Sequence, residues 1–285
     1  MEAKIIIIDL NQVMISNLLM QLGNHTNAEI DENMVRHMIL NSIRSFNVKF
    51  SREYGEMVIA CDNINVWRKQ VFPYYKANRK KKTENSELNW KSIFECMNKI
   101  RSELKEYFPY KVIDVEFAEA DDIIGTLVKE FGQKSKILIL SGDKDFIQLH
   151  TSDNVKQYDP VRKKWITHSD PFQFLNEHIM KGDAGDGVPN ILSSDNCFVV
   201  GERQKPLSAK KMKEFLQNNF KNISPQFSRN YHRNKQLIDL SFTPVEIKEK
   251  VIDQYKGQTN KDRSKLINYF IANKLKNLME NISEF

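Results

Sequence analysis

The sequence predicts an α/β fold: a mostly parallel, twisted sheet with helices on both faces, followed by a helical C-terminal part. Three observations carry this expectation. Ile5–Ile8, Met57–Ala60 and Ile137–Leu140 are continuously apolar rather than alternating, as strands covered on both faces must be. The stretches between them repeat apolar residues at helical spacing. Each run is closely followed by an acid, Asp9, Asp62 or Asp143. Open α/β sheets bind ligands at the carboxyl ends of their strands, so these acids fall where a site belongs.

In chain order, Ile5–Ile8 is the first buried strand, with Asp9 at its end. From Asp31, the stripe Met34, Val35, Met38, Ile39, Ile43 and Phe46 predicts a core-facing helix. Met57–Ala60 is the next strand. The segment Trp67–Lys82 then interleaves Arg68, Lys69, Lys76, Arg79, Lys80, Lys81 and Lys82 with Trp67, Phe72, Tyr74 and Tyr75, and Pro73 interrupts any helix. A charge run by itself is an ordinary solvated face. Rings among cations also suit single-stranded nucleic acid, where bases stack and phosphates are held, and this reading is the expectation here. Trp90, Ile93, Phe94, Met97, Ile100, Leu104 and Phe108 predict a second core helix, and Lys111–Val115 a strand leading to Glu119.

Ile123, Ile124, Leu127, Val128 and Phe131 mark a helix whose start carries Glu119, Asp121 and Asp122. Capping and the helix dipole account for one acid there better than for three. Beyond Asp143 and Asp145, Val155–Tyr158 and Lys164–Thr167 predict an edge hairpin. In KGDAGDGVPNI, Gly182, Gly185, Gly187 and Pro189 force a tight turn, and Asp183 and Asp186 serve either local backbone bonding or an ion. Ser208 is the expected cap of a helix bearing Lys210, Lys211 and Lys213. Thr243 to Glu246 fits a capping box with Pro244 at the first helical position, and Asn260–Leu278 reads as a last helix. The expected division is a core over 1–180, with the basic stretch near 65–90, and a helical part over 181–285.

The 285 residues carry 43 Lys and Arg against 37 Asp and Glu, a formal charge of +6 that points only weakly to nucleic acid. Cys61, Cys96 and Cys197 form no metal or disulfide spacing, which suggests a reducing compartment. No apolar run approaches a membrane span, so a cytoplasmic protein without membrane contact is expected. GxGxxG, GxxxxGK[ST] and GxSxG are all missing, which argues against dinucleotide, P-loop and hydrolase-elbow chemistry. An aspartyl phosphatase would carry a second acid two residues after Asp9, where Asn11 stands.

Together Asp9, Asp62, Glu119, Asp121, Asp122, Asp143, Asp145, Asp183 and Asp186 are too many carboxylates to share a cleft ionised without cations. Mg²⁺, with its preference for oxygen, fits this donor set. Two such ions about 4 Å apart activate water and stabilise the leaving oxygen in phosphodiester hydrolysis.

EADD at 119–122, the Asp-x-Asp after the strand, the KGD-xx-D turn and the closing Ile282–Phe285 resemble the 5′ nucleases of the flap endonuclease and 5′ to 3′ exonuclease class, phage ribonuclease H enzymes among them. The resemblance spans essentially the whole chain. It implies two Mg²⁺ ions, with Mn²⁺ as a substitute. Asp9, Asp62, Glu119, Asp121 and Asp143 would surround the first ion, and Asp145, Asp183 and Asp186 the second, with Asp122 behind them. It implies a basic arch passing the 5′ single strand, with Tyr75, Lys76 and Arg79 at its base. Lys76 would neutralise the scissile phosphate, with Arg79, Asp121 and Asp145 also catalytic, and Arg68 and Lys80 would be further phosphate contacts. Gly182 and Gly187 would lie in a turn on the duplex backbone, with Lys210 and Lys211 beyond it. One departure is the insertion of Ser193–Pro206 where the family has a glycine-rich second hairpin. The implied activity is Mg²⁺-dependent 5′ cleavage of DNA and RNA·DNA hybrid at an end or flap. The implied task is removing RNA primers in phage lagging-strand replication, as a monomer beside a single-strand DNA-binding protein and a sliding clamp. A PIN-type single-strand ribonuclease and a catalytically silent DNA-binding module are the alternatives.

Overall fold

The structure is a computed structural model and describes residues 4–22, 31–84, 86–217, 224–259 and 262–285. In chain order it runs β1 (Lys4–Asp9), α1 (Leu10–Leu22), α2 (Glu32–Tyr54), β2 (Glu56–Ala60), α3 (Arg68–Val71), α4 (Ala77–Glu84), α5 (Trp90–Tyr107), β3 (Lys111–Ile113), α6 (Ala120–Phe131) and β4 (Lys136–Leu140). After a 3-10 turn over Lys144–Leu149 come β5 (Val155–Asp159), β6 (Lys164–Ile166), α7 (Pro171–Lys181), α8 (Cys197–Val200), α9 (Ala209–Gln217), α10 (Pro225–Ile238), α11 (Val245–Gly257), α12 (Leu266–Ala272) and α13 (Lys276–Met279).

Contacts divide the chain into two units: 1–65, 87–167 and 244–285 form the first, and 66–86 with 168–243 the second. By contacts the last helices group with the sheet, so this division runs differently from the expected boundary at 180. The reason is visible at β3, whose outer edge needs hydrogen-bond partners. Gln254 and Gln258 of α11 supply them: their side-chain oxygens accept from the amides of Asp114 and Val112, and their side-chain amides donate to the carbonyls of the same residues. An open edge is thereby closed by side chains.

In the first unit the strand order is β3-β2-β1-β4-β5-β6, parallel throughout except for β6. The isoleucines of β1 are fully buried, as their unbroken apolar run requires. Asp31 caps α2 by accepting from the amides of Asn33 and Met34. At the other end Gly55 takes φ 73°, and a Cβ there would stand 2.6 Å from Lys4, so only glycine lets α2 turn into β2. Three sequence expectations shorten or break. β3 ends at Ile113, the last helix is interrupted between α12 and α13 by Lys274 at φ 56°, and α11 begins at Val245, with Pro244 at its N-cap and not at the first helical position.

In the second unit, Val66, Phe72, Tyr75, Ile179, Val188, Leu237 and Ile238 make one apolar cluster, with α7 against α10. A second cluster gathers Met180, Ile191, Leu192 and Met212. Ser208 caps α9 as expected, its hydroxyl accepting from the amide of Lys211 at 3.2 Å.

Candidate metal centre and cationic anchor

In the first unit the chain moves outward from β1 to β2 and β3, then returns through α6 to β4 on the other side of β1. The carboxyl ends of β1 and β4 therefore diverge at a topological switch, which opens a crevice. Asp9 closes β1 on one side of it, and the loop Ser141–Asp143 leaves β4 on the other. Ser141, fully buried, ties the two together: its hydroxyl donates to Asp9 Oδ2 at 3.1 Å and accepts from the Asp143 amide at 3.2 Å. The amide of Gln12 donates to the other oxygen of Asp9.

Asp62, just past β2, accepts from Asn11 Nδ2 at 2.5 Å and from the Ala120 amide at 2.6 Å. That second bond joins it to the N-terminus of α6. There Glu119 and Asp122 form a reciprocal capping box, with the Glu119 amide donating to Asp122 at 2.9 Å. Asp122 is fully buried, so its local task is the cap. Asp121 stays half-exposed in the same first turn. The Asp145 amide donates to Asp143 Oδ1 at 3.0 Å. Gln157 fixes the loop from beneath, donating to the carbonyls of Ser141 at 2.8 Å and Asp143 at 2.6 Å, while Gln12 accepts from the Gly142 amide at 2.6 Å.

The hydrogen-bond donors to Asp9 and Asp62 are neutral, so they orient the carboxylates without cancelling charge. Burial, aided by Asp62 and Asp143, pushes the Asp9 carboxyl up to about 7. A cation bound among these acids relieves that repulsion. The donors are hard oxygens. The adjoining Cys61 is buried with its thiol pushed far up by burial, which makes it no thiolate ligand. The residues present fit a hard divalent ion such as Mg²⁺ or Mn²⁺. Asn11, Gln12, Ser141 and Gln157 have no spacing that announces them in the sequence, because only the fold puts them beside acids.

The second unit uses its acids differently. Gly182 (φ 67°) and Gly187 (φ 72°) bend the turn after α7, and a Cβ on Gly182 would lie 2.4 Å from the Val188 carbonyl oxygen. Asp183 stitches the turn: its side chain accepts from the Asp186 amide at 3.0 Å and its carbonyl from the Val188 amide at 2.7 Å. Its carboxylate also stands 3.7 Å from His178, whose ring stacks on Phe174.

Asp186 receives the Tyr75 hydroxyl at 2.8 Å, pairs with Arg79 at its other oxygen, and lies 3.5 Å from Lys76 Nζ. The Lys76 amide donates to the Asp186 carbonyl at 2.7 Å, and Asn78 donates to the Ala184 carbonyl. Burial pushes the Asp186 carboxyl up, but Lys76, Arg79, Tyr75 and Arg68 together reverse this and hold it below the ordinary range. The carboxylate expected at a second ion is thus engaged by the arch-base cations. Lys76 takes φ 57°, a left-handed backbone that this double anchoring sustains.

Three expectations need correction. Arg68 is only 2% exposed, and its Nε donates to the Leu237 carbonyl at 2.8 Å, so it is a buried brace and not a phosphate contact. Trp67, Phe72 and Tyr75 are likewise buried, Phe72 and Tyr75 within the second unit's apolar cluster, so these rings offer no face to a base. The Gly182 amide is bonded to the His178 carbonyl, which removes it as a phosphate donor. Lys80 lies within α4, and its side chain is outside the described residues. Lys210 is exposed on α9, and Lys211 is half-buried with its ammonium 5.8 Å from the rings of Phe215 and Phe227.

Residues 4–178 match the family model of the 5′-3′ exonuclease N-terminal resolvase-like domain, and residues 173–285 that of the T4 RNase H C-terminal region. The ribonuclease H of Enterobacteria phage T4 is 36% identical over 296 residues, covering 99% of this chain and 95% of that one. A 5′-3′ exonuclease of Buchnera aphidicola is 29% identical over 62% of this chain and 64% of its own length. Among solved structures, the T5 5′-exonuclease with bound zinc superposes at TM-score 0.65 with 16% identity, over 89% of this chain and 99% of that one. A bacteriophage T5 flap endonuclease in a pseudo-enzyme-product complex with DNA and metal ions gives 0.62, with 16% identity over 90% and 99%. At that identity the likeness is one of fold.

Proposed function

The chain belongs to the 5′-3′ exonuclease family, and from that premise we propose that it is a divalent-metal-dependent 5′ nuclease acting on RNA·DNA hybrid and DNA, at a 5′ end or a flap. The observation that carries the reading is the group of linked acids at the sheet's switch point, in which Asp9 and Asp62 accept from neutral donors. Asp9, Asp62, Glu119, Asp121, Asp143 and Asp145 are the residues assigned to hold Mg²⁺. Two Mg²⁺ ions, when bound, would supply an activated water and charge stabilisation at the leaving oxygen. Asp62 and the capping box fix the α6 N-terminus, and Ser141 and Gln157 fix the β4 loop, so the acids are preorganised before any ion arrives.

Lys76 and Arg79 are assigned to the phosphate, with Asp186 aiming them until a nucleic-acid phosphate competes for their charge. The same reading places the protein at the removal of RNA primers in phage lagging-strand synthesis, beside a single-strand DNA-binding protein and a sliding clamp.

The test is cleavage of a 5′-labelled RNA·DNA hybrid beside a 5′-flapped duplex, with Mg²⁺ and with chelator. Short 5′ products from both, lost in chelator, support the reading. Cutting of free single-stranded RNA alone favours a PIN-type ribonuclease, and binding without cleavage a silent DNA-binding module.

A further inference from the structure

The β5–β6 hairpin carries charge and an aromatic ring that the metal centre does not use. Its strands pair Tyr158 with Trp165, and its turn runs through Pro160, Val161, Arg162 and Lys163. β5 lies parallel to β4, with Tyr158 opposite Leu140, so the turn leaves the same carboxyl edge as the Ser141–Asp143 loop. One strand spacing, about 4.8 Å, separates the two. The contact is close: a Cβ on Gly142 would meet the Asp159 carboxylate at 2.8 Å.

Arg162, Lys163 and Lys164 are all exposed along this edge. The one acid within the hairpin, Asp159, is buried, accepting from the amides of Val161 and Arg162 and lying 3.9 Å from the guanidinium of Arg162, which itself stays exposed. Next to the cations Trp165 is 49% exposed. Its ring is braced edge-to-face by Tyr158 at 5.3 Å and Phe50 at 6.0 Å, and Lys49 bonds the Tyr158 hydroxyl at 2.7 Å. A braced indole loses little entropy when a flat group stacks on it, and three adjacent cations favour an anionic partner. A nucleic-acid strand has both features, whereas an acidic peptide supplies only the charge.

We infer that the β5–β6 hairpin is a second nucleic-acid contact, in which Arg162, Lys163 and Lys164 hold phosphates of a strand running past β4 and Trp165 stacks on an unpaired base. The inference rests on the nuclease reading and names a path for the strand along the sheet edge.

The experiment measures binding of the full chain to a duplex and to a single-stranded oligonucleotide in chelator, across a salt series. It compares wild type with Arg162→Gln/Lys163→Gln/Lys164→Gln, with Trp165→Leu, and with a control that removes the same charge elsewhere, Lys129→Gln/Lys250→Gln/Lys256→Gln. These control lysines are exposed on α6 and α11. The hairpin triple is expected to weaken binding about tenfold and to flatten the slope of log affinity against log salt by about 2, while the control moves affinity less than about threefold. Trp165→Leu should weaken single-strand binding about fivefold and leave duplex binding unchanged.

Equal effects of the hairpin triple and the control overturn the inference, as does a Trp165→Leu effect on duplex and single strand alike. Displacement of the oligonucleotide from wild type but not from the hairpin triple by poly-glutamate at equal charge reassigns the surface to an acidic protein. Cleavage in Mg²⁺ is scored in parallel. A wild type that cuts nothing sinks the nuclease reading, whereas a wild type that cuts with an indifferent hairpin sinks only this inference.

Discussion

Aspartates do opposite jobs in the two units. At the sheet edge of the first, Asp9 and Asp62 accept from a serine, an asparagine and backbone amides, and Asp9 is pushed up to about 7 by burial and by neighbouring acids. In the second, Asp186 is paired with two cations and a tyrosine, and its carboxyl is held below its ordinary range. One set is aimed by neutral donors, which suits a cation from solution. The other is neutralised, which suits a fastener. The partners of a carboxylate therefore say more about its role than its position in a motif.

That contrast is sharpest if a nearly isosteric change has opposite consequences in the two places. Asp62→Asn should cut single-turnover cleavage by at least about 10²-fold, with DNA affinity in Ca²⁺ changed less than about threefold. Cleavage near the wild-type rate in that variant would remove Asp62 from the metal centre. Lys76→Ala should lower kcat by about 10²-fold with little change in KM, since its interaction is proposed to grow in the transition state. An effect confined to KM would make Lys76 an ordinary binding cation.

Asp186→Asn should instead cost about 2 kcal/mol of stability in chemical denaturation, because it strands two cations around a buried site. The pH dependence has a definite sign. A carboxyl lowered in the folded state stabilises above its unfolded value, about 3.9, and loses that contribution as pH falls through the folded value. The gap between wild type and variant should therefore be full at neutral pH and close only in acid below the ordinary carboxylate range. A gap that closes between pH 6 and 8 would contradict the pairing.

Mn²⁺ or Mg²⁺ at about a hundred times its Kd should raise the melting temperature of wild type by several degrees, and of Asp186→Asn equally, but much less that of Asp62→Asn. A shift that survives in Asp62→Asn would place the ion elsewhere. Tyr75→Phe is the smallest change, about 1 kcal/mol of stability with single-strand affinity unaltered, because the ring is core and only its hydroxyl bond is lost. A large loss of single-strand binding would restore Tyr75 as a stacking platform.

How far the sequence reaches differs by kind of interaction. Unbroken apolar runs locate three strands of the sheet, since burial on both faces leaves no polar position along Ile5–Ile8 or Ile137–Leu140. The acids following those runs and heading α6 are legible for the same reason, because strand ends and helix starts are local features. The stretch Trp67–Lys82 is where local reading misleads. Its rings and cations look alike in sequence whether they face water or a core, and only the surfaces of α7 and α10 decide that Phe72, Tyr75 and Arg68 turn inward.

By itself, then, the sequence determined the α/β class, the strands and the acids at their carboxyl ends, all of which follow from periodicity within a few residues. The tertiary structure alone decided which partners those acids have. Ser141 meets Asp9 across 132 positions, Asn11 meets Asp62 across 51, and Tyr75 meets Asp186 across 111. The closure of the β3 edge by Gln254 and Gln258, which assigns the last helices to the first unit, is equally nonlocal. Such pairings leave no periodic trace, because a hydrogen bond constrains two side chains and not the chain between them.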